Sequence, residues 1–276
     1  MQAASDHPPF GALLRRARTL RRLSQLDLAL QAEVSQRHLS CLESGRSRPS
    51  REMVLQIAVA LDLSMRERNR LLHAAGFVGE YAQRSIEAAD MRPVREALQH
   101  MLRQQEPYPG VVVDRAWNLL EANRAMQALL GLAGDVEAMW QRVCGDGPRN
   151  ILQLTLHPQG LASMIVNLDE LAPLVLARTA REALEYPEVQ PVLDAVLAYP
   201  ELPRAYRRID LQDARLPVVP THLRLGGTDL RLFTMLASFG TPLDVTTDEL
   251  RLELFFPADA ESQALLEGLA AATAAR

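Results

Sequence analysis

The stretch that decides the fold of the first domain is residues 24–50, which read SQLDLALQAEVSQRHLSCLESGRSRPS. Ser24 is a good N-cap for a helix over Gln25–Gln31, and Ser35 is a good N-cap for a second helix over Gln36–Ser44. Only Ala32 to Val34 lie between the first predicted helix and the N-cap of the second, so the turn must be tight and the helices must cross steeply. The pattern therefore predicts two short helices that pack against each other.

Further helices are predicted on both sides of this pair. Upstream, apolar residues recur at helical spacing and leave arginines on the opposite side of the helix. Downstream, Gly45 ends the second helix of the pair, and Ser50 and Ser64 are N-caps for two more helices, the last of which ends near Gly76. Residues 1–77 are therefore predicted to form a domain of five helices.

The charge of the chain is divided unevenly. Residues 1–77 hold 12 arginines and 7 acidic residues, a net charge of +5, whereas residues 78–276 hold 18 arginines and 27 acidic residues, a net charge of -9. The whole chain has a net charge of -4, which by itself would argue against a nucleic-acid partner. Because the five-helix domain alone is basic, a polyanion partner is expected for that domain.

The order of caps, small residues, Glu43, Gly45 and Pro49 in this stretch resembles the helix-turn-helix of XRE-type (lambda-repressor/Cro-like) transcription regulators. The resemblance implies that the helix over residues 36–44 enters the major groove of double-stranded DNA with its first turn facing the bases. Glutamine can pair with adenine and arginine with guanine. The candidates for reading bases are therefore Gln36, Arg37, Ser40 and Cys41. The candidates for holding phosphates are Gln25, Ser44, Arg46, Arg48 and Arg51.

Two acidic residues of the motif, Glu33 and Glu43, have different expected roles. Glu33 occupies a turn position where the XRE family often has glycine, and a left-handed conformation there would cost about 1 kcal/mol. Glu43 is expected to pair with a nearby arginine rather than to act as an acid. The alternative for residues 36–48, a solvated face of a protein-interaction domain, explains neither the paired caps nor the basic turn.

A second domain is predicted over residues 92–260, after a linker at 78–91 and before a C-terminal helix or tail at 261–276. Two strands across a polar turn, Val111–Val113 and Trp117–Leu120, predict a hairpin. Three more strands are predicted at Thr221–Leu225, Leu230–Ser238 and Leu250–Phe256, the first two joined by Gly226 and Gly227. In these strands leucines alternate with polar residues, among them Glu253, which predicts one buried apolar face and one polar face.

The second domain resembles the MmyB-like ligand-binding domain of XRE regulators. The phrases that carry the resemblance are GVVVDRAWNLLEANRAMQALLG (110–131), NILQLTLHPQGLASMIVN (150–167), LRLFTMLASFGTPLDVT (230–246) and ELRLELFFPAD (249–259). The resemblance implies a PAS-like fold that binds an apolar small molecule, with a fatty acid as the ligand class. The candidate ligand residues are Trp117, Arg124, Met126, His157, Met164, Arg178 and Met235. Arg124, His157 and Arg178 are the candidates for pairing with a carboxylate.

Together these features predict an α+β protein in which a five-helix lambda-repressor-like domain precedes a PAS-like domain with an antiparallel sheet and flanking helices. No nucleophile, phosphate-loop or dinucleotide motif indicates an enzyme, and no cofactor is expected apart from the apolar ligand. Cys41 and Cys144 lie far apart and suggest neither a disulfide nor a metal site.

The function expected is that of a cytoplasmic, ligand-sensing transcription regulator. The N-terminus MQAASDHPPF lacks the features of a signal peptide, and no apolar run is long enough for a membrane span. A homodimer is expected, because one helix-turn-helix contacts only a half-site. The alternative is a DNA-binding regulator whose second domain only oligomerises or binds a protein partner.

Overall fold

A computed structural model describes residues 9–199, 202–203 and 218–274 of the chain. The chain is divided into two units. The first unit runs to Ala88 and also includes Thr241–Asp248, and the second comprises Ala89–Gly240 and the residues from Glu249 onward. Residues 1–8 and 275–276, which are the outer ends of the first and last predicted segments, lie outside the described residues.

The first unit is helical, as the cap signals predict. Between Pro9 and Ala88 its α-helices are α1 (Phe10–Leu20), α2 (Gln25–Gln31), α3 (Gln36–Glu43), α4 (Arg51–Ala60) and α5 (Met65–Ala74). The four predicted serine caps each accept a hydrogen bond from a backbone N–H in the first turn of α2, α3, α4 and α5. Leu14, Leu28, Leu39, Leu42 and Ile57 are fully buried between the helices. The predicted five-helix domain is confirmed.

The second unit combines helices with one sheet. Its described α-helices are α6 (Arg92–Gln105), α7 (Arg124–Gly131), α8 (Val136–Cys144), α9 (Ile151–Leu156), α10 (Leu168–Glu185), α11 (Gln190–Leu197) and α13 (Ala260–Ala274); α12 (Val245–Glu249) lies mainly in the first unit. The strands are β1 (Gly110–Val113), β2 (Leu119–Ala122), β3 (Thr221–Leu225), β4 (Thr228–Ala237) and β5 (Arg251–Pro257). The α+β fold class is confirmed.

The sheet is antiparallel and has the strand order β2-β1-β5-β4-β3 among the described residues. The predicted hairpin between β3 and β4 is present. Its turn places Gly226 and Gly227 at φ values of 56° and 83°, a left-handed region that glycine adopts at little cost. The predicted hairpin of β1 and β2 is also present, with β2 beginning two residues later than predicted.

The two faces of the sheet differ from the prediction in β5. Residues directly paired across antiparallel strands point to the same face, so Thr234 shares a face with Phe255, and Met235 shares the other face with Leu254. We call the face with Phe255 and Glu253 the inner face and the opposite one the outer face. The prediction that the β5 leucines lie on one face with Leu230 is wrong. The outer face is also partly covered, because the Leu102 side chain of α6 lies beside Gly110 of β1. Residues on both faces of β5 are therefore partly buried, and burial does not alternate along this strand.

Candidate nucleic-acid interface and ligand cavity

The turn between α2 and α3 is as tight as the sequence predicts. Val34 N donates to Ala29 O over 2.9 Å, and Ala29 is buried where the two helices meet. Glu33 has a φ of 49°, so the position where the XRE family often has glycine is indeed left-handed here. The turn therefore forms with a non-glycine residue in a conformation that favours glycine.

The first two turns of α3 present the four candidate base-reading residues on one side of the helix. Gln36 and Arg37 are exposed, and Ser40 and Cys41 follow one turn later and are half-buried. Residues four apart in a helix lie one above the other, so the four side chains form a compact surface. The two long, hydrogen-bonding side chains are therefore the most accessible members of this surface.

The candidate phosphate-binding residues after α3 differ in their partners. Arg46 and Arg48 are exposed in the turn that follows α3, and Arg46 Nε donates to Ser44 Oγ over 2.9 Å. Arg51, at the start of α4, forms a short ion pair with Glu80. A phosphate would have to compete with that carboxylate for Arg51, whereas Ser44 orients Arg46 without neutralising it.

Gln25 and Glu43 belong to a buried hydrogen-bond network. Arg18 Nε and Nη2 donate to the two carboxylate oxygens of Glu43 over 2.6 and 3.0 Å, and Gln25 Nε2 donates to Glu43 Oε2 over 2.8 Å. Burial acts to raise the pKa of Glu43, but the hydrogen bonds from Arg18 and Gln25 outweigh it and hold that pKa below its usual range. Glu43 therefore pairs with an arginine, as predicted. The phosphate contact of Gln25 stays a prediction.

Residues 241–248 join the first unit through a second polar network. Asp244, 4% exposed, accepts a hydrogen bond from Arg84 Nη1 over 2.9 Å, and its other carboxylate oxygen caps α12 by accepting from Thr246 N over 2.9 Å. Thr246 Oγ1 in turn donates to the carbonyl oxygen of Arg84 over 2.6 Å. The connection between β4 and β5 is thus anchored on the segment that follows α5.

That segment is itself anchored on α5. Asn69 Oδ1 accepts hydrogen bonds from the backbone N–H groups of Glu80 and Tyr81 over 2.8 and 3.0 Å, and Asn69 Nδ2 donates to Tyr81 O over 2.7 Å. One asparagine side chain therefore makes three of the hydrogen bonds that hold the residues after α5. Within the first unit, hydrogen bonds thus join α5 to Glu80 and Tyr81, and Arg84 of the same segment to Asp244 and Thr246.

A cavity of about 380 Å³ lies in the second unit, between the inner face of the sheet and helices α7, α9 and α10. This volume is within the range of roughly 300–1,000 Å³ typical of small-molecule sites. Its wall is mostly apolar and includes Met126, Leu130, Leu152, Val175, Leu232 and Phe255. The polar members of the wall are Thr155, Arg178, Thr221, Thr234 and Glu253. Such a wall suits an apolar molecule that carries one polar group.

Charged groups cluster where α10 faces Trp117 and β5. The Arg178 guanidinium lies 4.2 Å from the centre of the Trp117 ring, and Trp117 Nε1 donates to Glu182 Oε2 over 2.8 Å. Glu182 Oε1 accepts from Arg251 Nη1 over 3.0 Å. Burial raises the pKa of Glu253, the Arg178 charge lowers it and the Glu182 charge raises it, and the net shift is upward. Glu182 therefore neutralises Arg251, whereas Arg178 and Glu253 both face the cavity.

Two family models match the chain. Residues 94–269 match the MmyB-like transcription regulator ligand binding domain, and residues 14–68 match a helix-turn-helix family. The first match covers more than half of the sequence. The chain belongs to the MmyB-like family. It is a DNA-binding transcription regulator with an XRE-type helix-turn-helix and a ligand-binding domain. No curated protein matches the sequence closely enough to count as a relative.

Three of the residues predicted to bind a ligand line the cavity of the MmyB-like domain: Trp117, Met126 and Arg178. Trp117 is 1% exposed and has a φ of 67°, and its ring lies beneath the Arg178 guanidinium. Met164 packs against the same core but is not part of the cavity wall. Of the three candidates for pairing with a carboxylate, Arg178 is the one that reaches the cavity.

The remaining predicted ligand residues lie elsewhere in the MmyB-like domain. Arg124 is exposed and its Nε lies 4.0 Å from Glu106 Oε1. The ring centres of His157 and Tyr199 lie 4.7 Å apart, with the two ring planes at 78° to each other. Met235 is 57% exposed on the outer face of the sheet. Their ligand contacts stay predictions without support from the shape of the cavity.

Glu253 is the functional candidate that the sequence did not reveal. The alternating pattern of β5 assigned it to the polar face, whereas the register places it on the inner face with 7% of its surface exposed. Thr155, Thr221 and Thr234, which also line the cavity, were not singled out either. Within the described residues, no group of three His, Cys, Asp or Glu could hold a metal ion, and no helix has the length and apolar composition needed to cross a membrane.

Proposed function

We propose that this chain is a cytoplasmic regulator that binds a palindromic operator as a homodimer and whose MmyB-like domain senses a fatty acid or a similar apolar acid. The observation that carries the proposal is the cavity itself, an apolar chamber with a guanidinium at its wall. Arg178 is suited to receive a carboxylate, because guanidinium and carboxylate form strong, charge-assisted hydrogen bonds. The alternative, a second domain that only oligomerises, would need no such chamber.

In this proposal the exposed start of α3 reads the operator. Gln36 and Arg37 contact base edges, and Ser40 and Cys41 add short-range contacts. Arg46 and the neighbouring cations hold the flanking phosphates, which fixes the register of the protein on DNA without selecting sequence. The charge of +5 over residues 1–77 supports this division of roles, since phosphate contacts supply most of the non-specific affinity.

Ligand binding would change the affinity for DNA through residues 241–248. These residues connect β4 and β5, two strands whose inner-face residues line the cavity, and they belong to the DNA-binding unit. A ligand that shifts the ends of β4 and β5 would therefore act on a segment hydrogen-bonded to Arg84. A ligand can control DNA binding only if it has different affinities for the two states of this segment.

The DNA half of the proposal is tested with operators selected from a random DNA pool. Arg37→Ala is expected to relax the preference at one base pair, because a bidentate arginine contact contributes about 1–3 kcal/mol of discrimination. Arg46→Ala is expected to weaken all sequences alike and to reduce the salt dependence of binding. Arg92→Ala, an exposed arginine of α6, is the control and should change neither. Uniform weakening by both Arg37→Ala and Arg46→Ala would contradict the groove assignment of α3.

The ligand half is tested by titrating the full chain with dodecanoate. Trp117 lines the cavity and is one of two tryptophans, so the Trp140→Phe chain reports binding through Trp117 fluorescence alone. Dodecanoate should bind, should change that fluorescence and should shift operator affinity. Asp244→Ala should keep dodecanoate binding and operator binding while reducing the effect of one on the other. If no amphiphile binds and the chain is still a dimer, the second domain only oligomerises.

A further inference from the structure

Two ionisable side chains in the cavity wall have no hydrogen-bonding partner. Arg178 Nε is buried without one, and neither Arg178 nor Glu253 makes a hydrogen bond or an ion pair with any residue that the structure describes. Buried polar groups are nearly always hydrogen-bonded, and leaving one unbonded costs roughly 1–3 kcal/mol. Arg178 Nε is such a group, and because Glu253 lies in the same cavity wall, a molecule that enters the cavity can meet both side chains.

The charges around Glu253 define what that molecule must bring. From α10, Arg178 and Glu182 face it, and from β5 itself Arg251 does. Its paired neighbours in β1 and β4, Val111 and Leu236, carry no charge. Glu182 is already bonded to Arg251 and to Trp117. Where Glu253 is the neutral acid, one positive charge, that of Arg178, is left to be neutralised from inside the cavity.

Glu253 is suited to donate rather than to accept a proton in a hydrogen bond. Burial in this wall raises the pKa of its carboxyl group, which favours the neutral acid. A neutral carboxylic acid carries one O–H donor, whereas an ionised one can only accept. A cationic guanidinium and a neutral acid facing the same space are complementary to a carboxylate, which needs donors and a positive charge.

We propose that Glu253 is a specificity-determining residue of the ligand site, in which its protonated carboxyl donates a hydrogen bond to the carboxylate of an amphiphilic ligand held by Arg178. This inference rests on the proposed sensor function and identifies the head group that the sensor selects. Alcohols and esters of the same chain length lack the charge that Arg178 needs. Binding also depends on pH, because an ionised Glu253 would repel the ligand carboxylate.

The test compares dodecanoate with 1-dodecanol on the full chain and on two variants of Glu253, with binding measured by titration calorimetry. Glu253→Met removes the donor and should weaken dodecanoate binding about tenfold, the effect of losing a hydrogen bond to a charged group. Glu253→Gln keeps an N–H donor and should retain dodecanoate affinity at a pH where Glu253 of the unmodified chain is protonated. Binding of 1-dodecanol should change little in either variant. Glu261→Gln, an exposed acid of α13, is the matched control.

The pH profile supplies a second readout. The Kd of the unmodified chain for dodecanoate should increase with pH once Glu253 ionises, by up to about tenfold per pH unit, and should stay level in Glu253→Gln. Infrared difference spectra of the unmodified chain with dodecanoate should show the C=O band of a protonated carboxyl group, and this band should be absent in Glu253→Gln. The infrared band reports the protonation state of the carboxyl group directly, so it distinguishes this role from an effect of Glu253 on stability or folding.

Three results would overturn the inference: equal dodecanoate affinity of Glu253→Met and the unmodified chain, equal weakness of Glu253→Gln and Glu253→Met, or the same pH slope with and without Glu253. Each of these presupposes that dodecanoate binds. If neither dodecanoate nor 1-dodecanol binds the unmodified chain, the proposed sensor function itself fails. The two failures are therefore distinguishable.

Discussion

Two buried glutamates, one in each unit, have opposite electrostatic environments. Glu43 in the DNA-binding unit accepts three hydrogen bonds, from Arg18 and Gln25, and its pKa is lowered. Glu253 in the ligand-binding unit accepts none from the described residues, and burial, its largest influence, raises its pKa. The first is a charged group whose partners are built into the fold. The second is a group that has no hydrogen-bonding partner among the described residues.

Structural polar groups differ from ligand-binding ones in how completely their hydrogen-bonding capacity is used within the fold. Burial alone does not make this distinction, because both carboxyl groups are largely removed from water. A satisfied network such as that of Glu43 rigidifies the packing around it, whereas an unsatisfied pair such as Arg178 and Glu253 reduces the stability of the ligand-free state. A binding site of this kind gains affinity from a molecule that supplies the missing partners.

The largest expected effect comes from breaking the satisfied network. Glu43→Ala leaves the Arg18 charge, 12% exposed, without its carboxylate and should destabilise the chain by about 3–5 kcal/mol. Urea denaturation of the full chain measures this loss. Glu87→Ala, an exposed acid of the segment after α5, is the control and should change stability by less than about 0.5 kcal/mol. A small loss in Glu43→Ala would mean that Arg18 finds other partners.

The same network should respond to acid. Because the pKa of Glu43 is lower in the folded chain than its usual value of 4.5, the network stabilises the fold above that value, and this stability is lost as the pH falls through the lowered pKa. Denaturation midpoints measured from pH 7 down to pH 3 should therefore fall less steeply in Glu43→Gln than in the unmodified chain. Parallel profiles would show that other carboxylates control the acid transition.

A smaller effect of opposite sign is expected at the unsatisfied group. Glu253→Met replaces a buried, unbonded carboxyl by an apolar group of similar length and should stabilise the ligand-free chain by roughly 1–2 kcal/mol, since the cost of burying that polar group disappears. Thermal unfolding without added ligand measures the gain, and Glu261→Met at the exposed surface is the control. Loss of stability would mean that Glu253 is part of the structure, as Glu43 is.

The sequence predicts the first unit better than the cavity, because the signals that define the first unit lie within short segments of the chain. Ser24 and Ser35 mark the starts of α2 and α3 because a cap acts on the N–H groups of its own first turn, and the pattern of one short segment therefore suffices. The inner face of the sheet depends on how β5 pairs with its neighbours. Both faces of β5 contain apolar residues, so alternation alone assigned Glu253 to the wrong face.

The role of residues 241–248 could not be predicted from the sequence for a related reason. Asp244 lies in the polar sequence TPLDVTTD, which resembles that of an ordinary loop, and its role depends on Arg84, which is far away in sequence. Contacts between distant segments leave no periodic signal. Arg178 was found because a carboxylate ligand requires a cation, whereas the acid opposite it has no such rationale until the wall of the cavity is known.

The smallest effect concerns the turn on which the helix-turn-helix depends. Glu33 has a φ of 49°, a conformation that costs a non-glycine residue about 1–2 kcal/mol, whereas glycine adopts it freely but loses about 0.5–1 kcal/mol more backbone entropy on folding. Glu33→Gly should therefore stabilise the chain by roughly 0.5–1 kcal/mol, and hydrogen exchange of the Val34 amide, which donates to Ala29 O, should slow accordingly. Glu33→Ala removes the same carboxylate without relieving the backbone and should give no gain. Equal increases in the free energy of unfolding of both variants would mean that the Glu33 carboxylate, and not the left-handed backbone, lowers the stability. The backbone of this turn would then be unstrained.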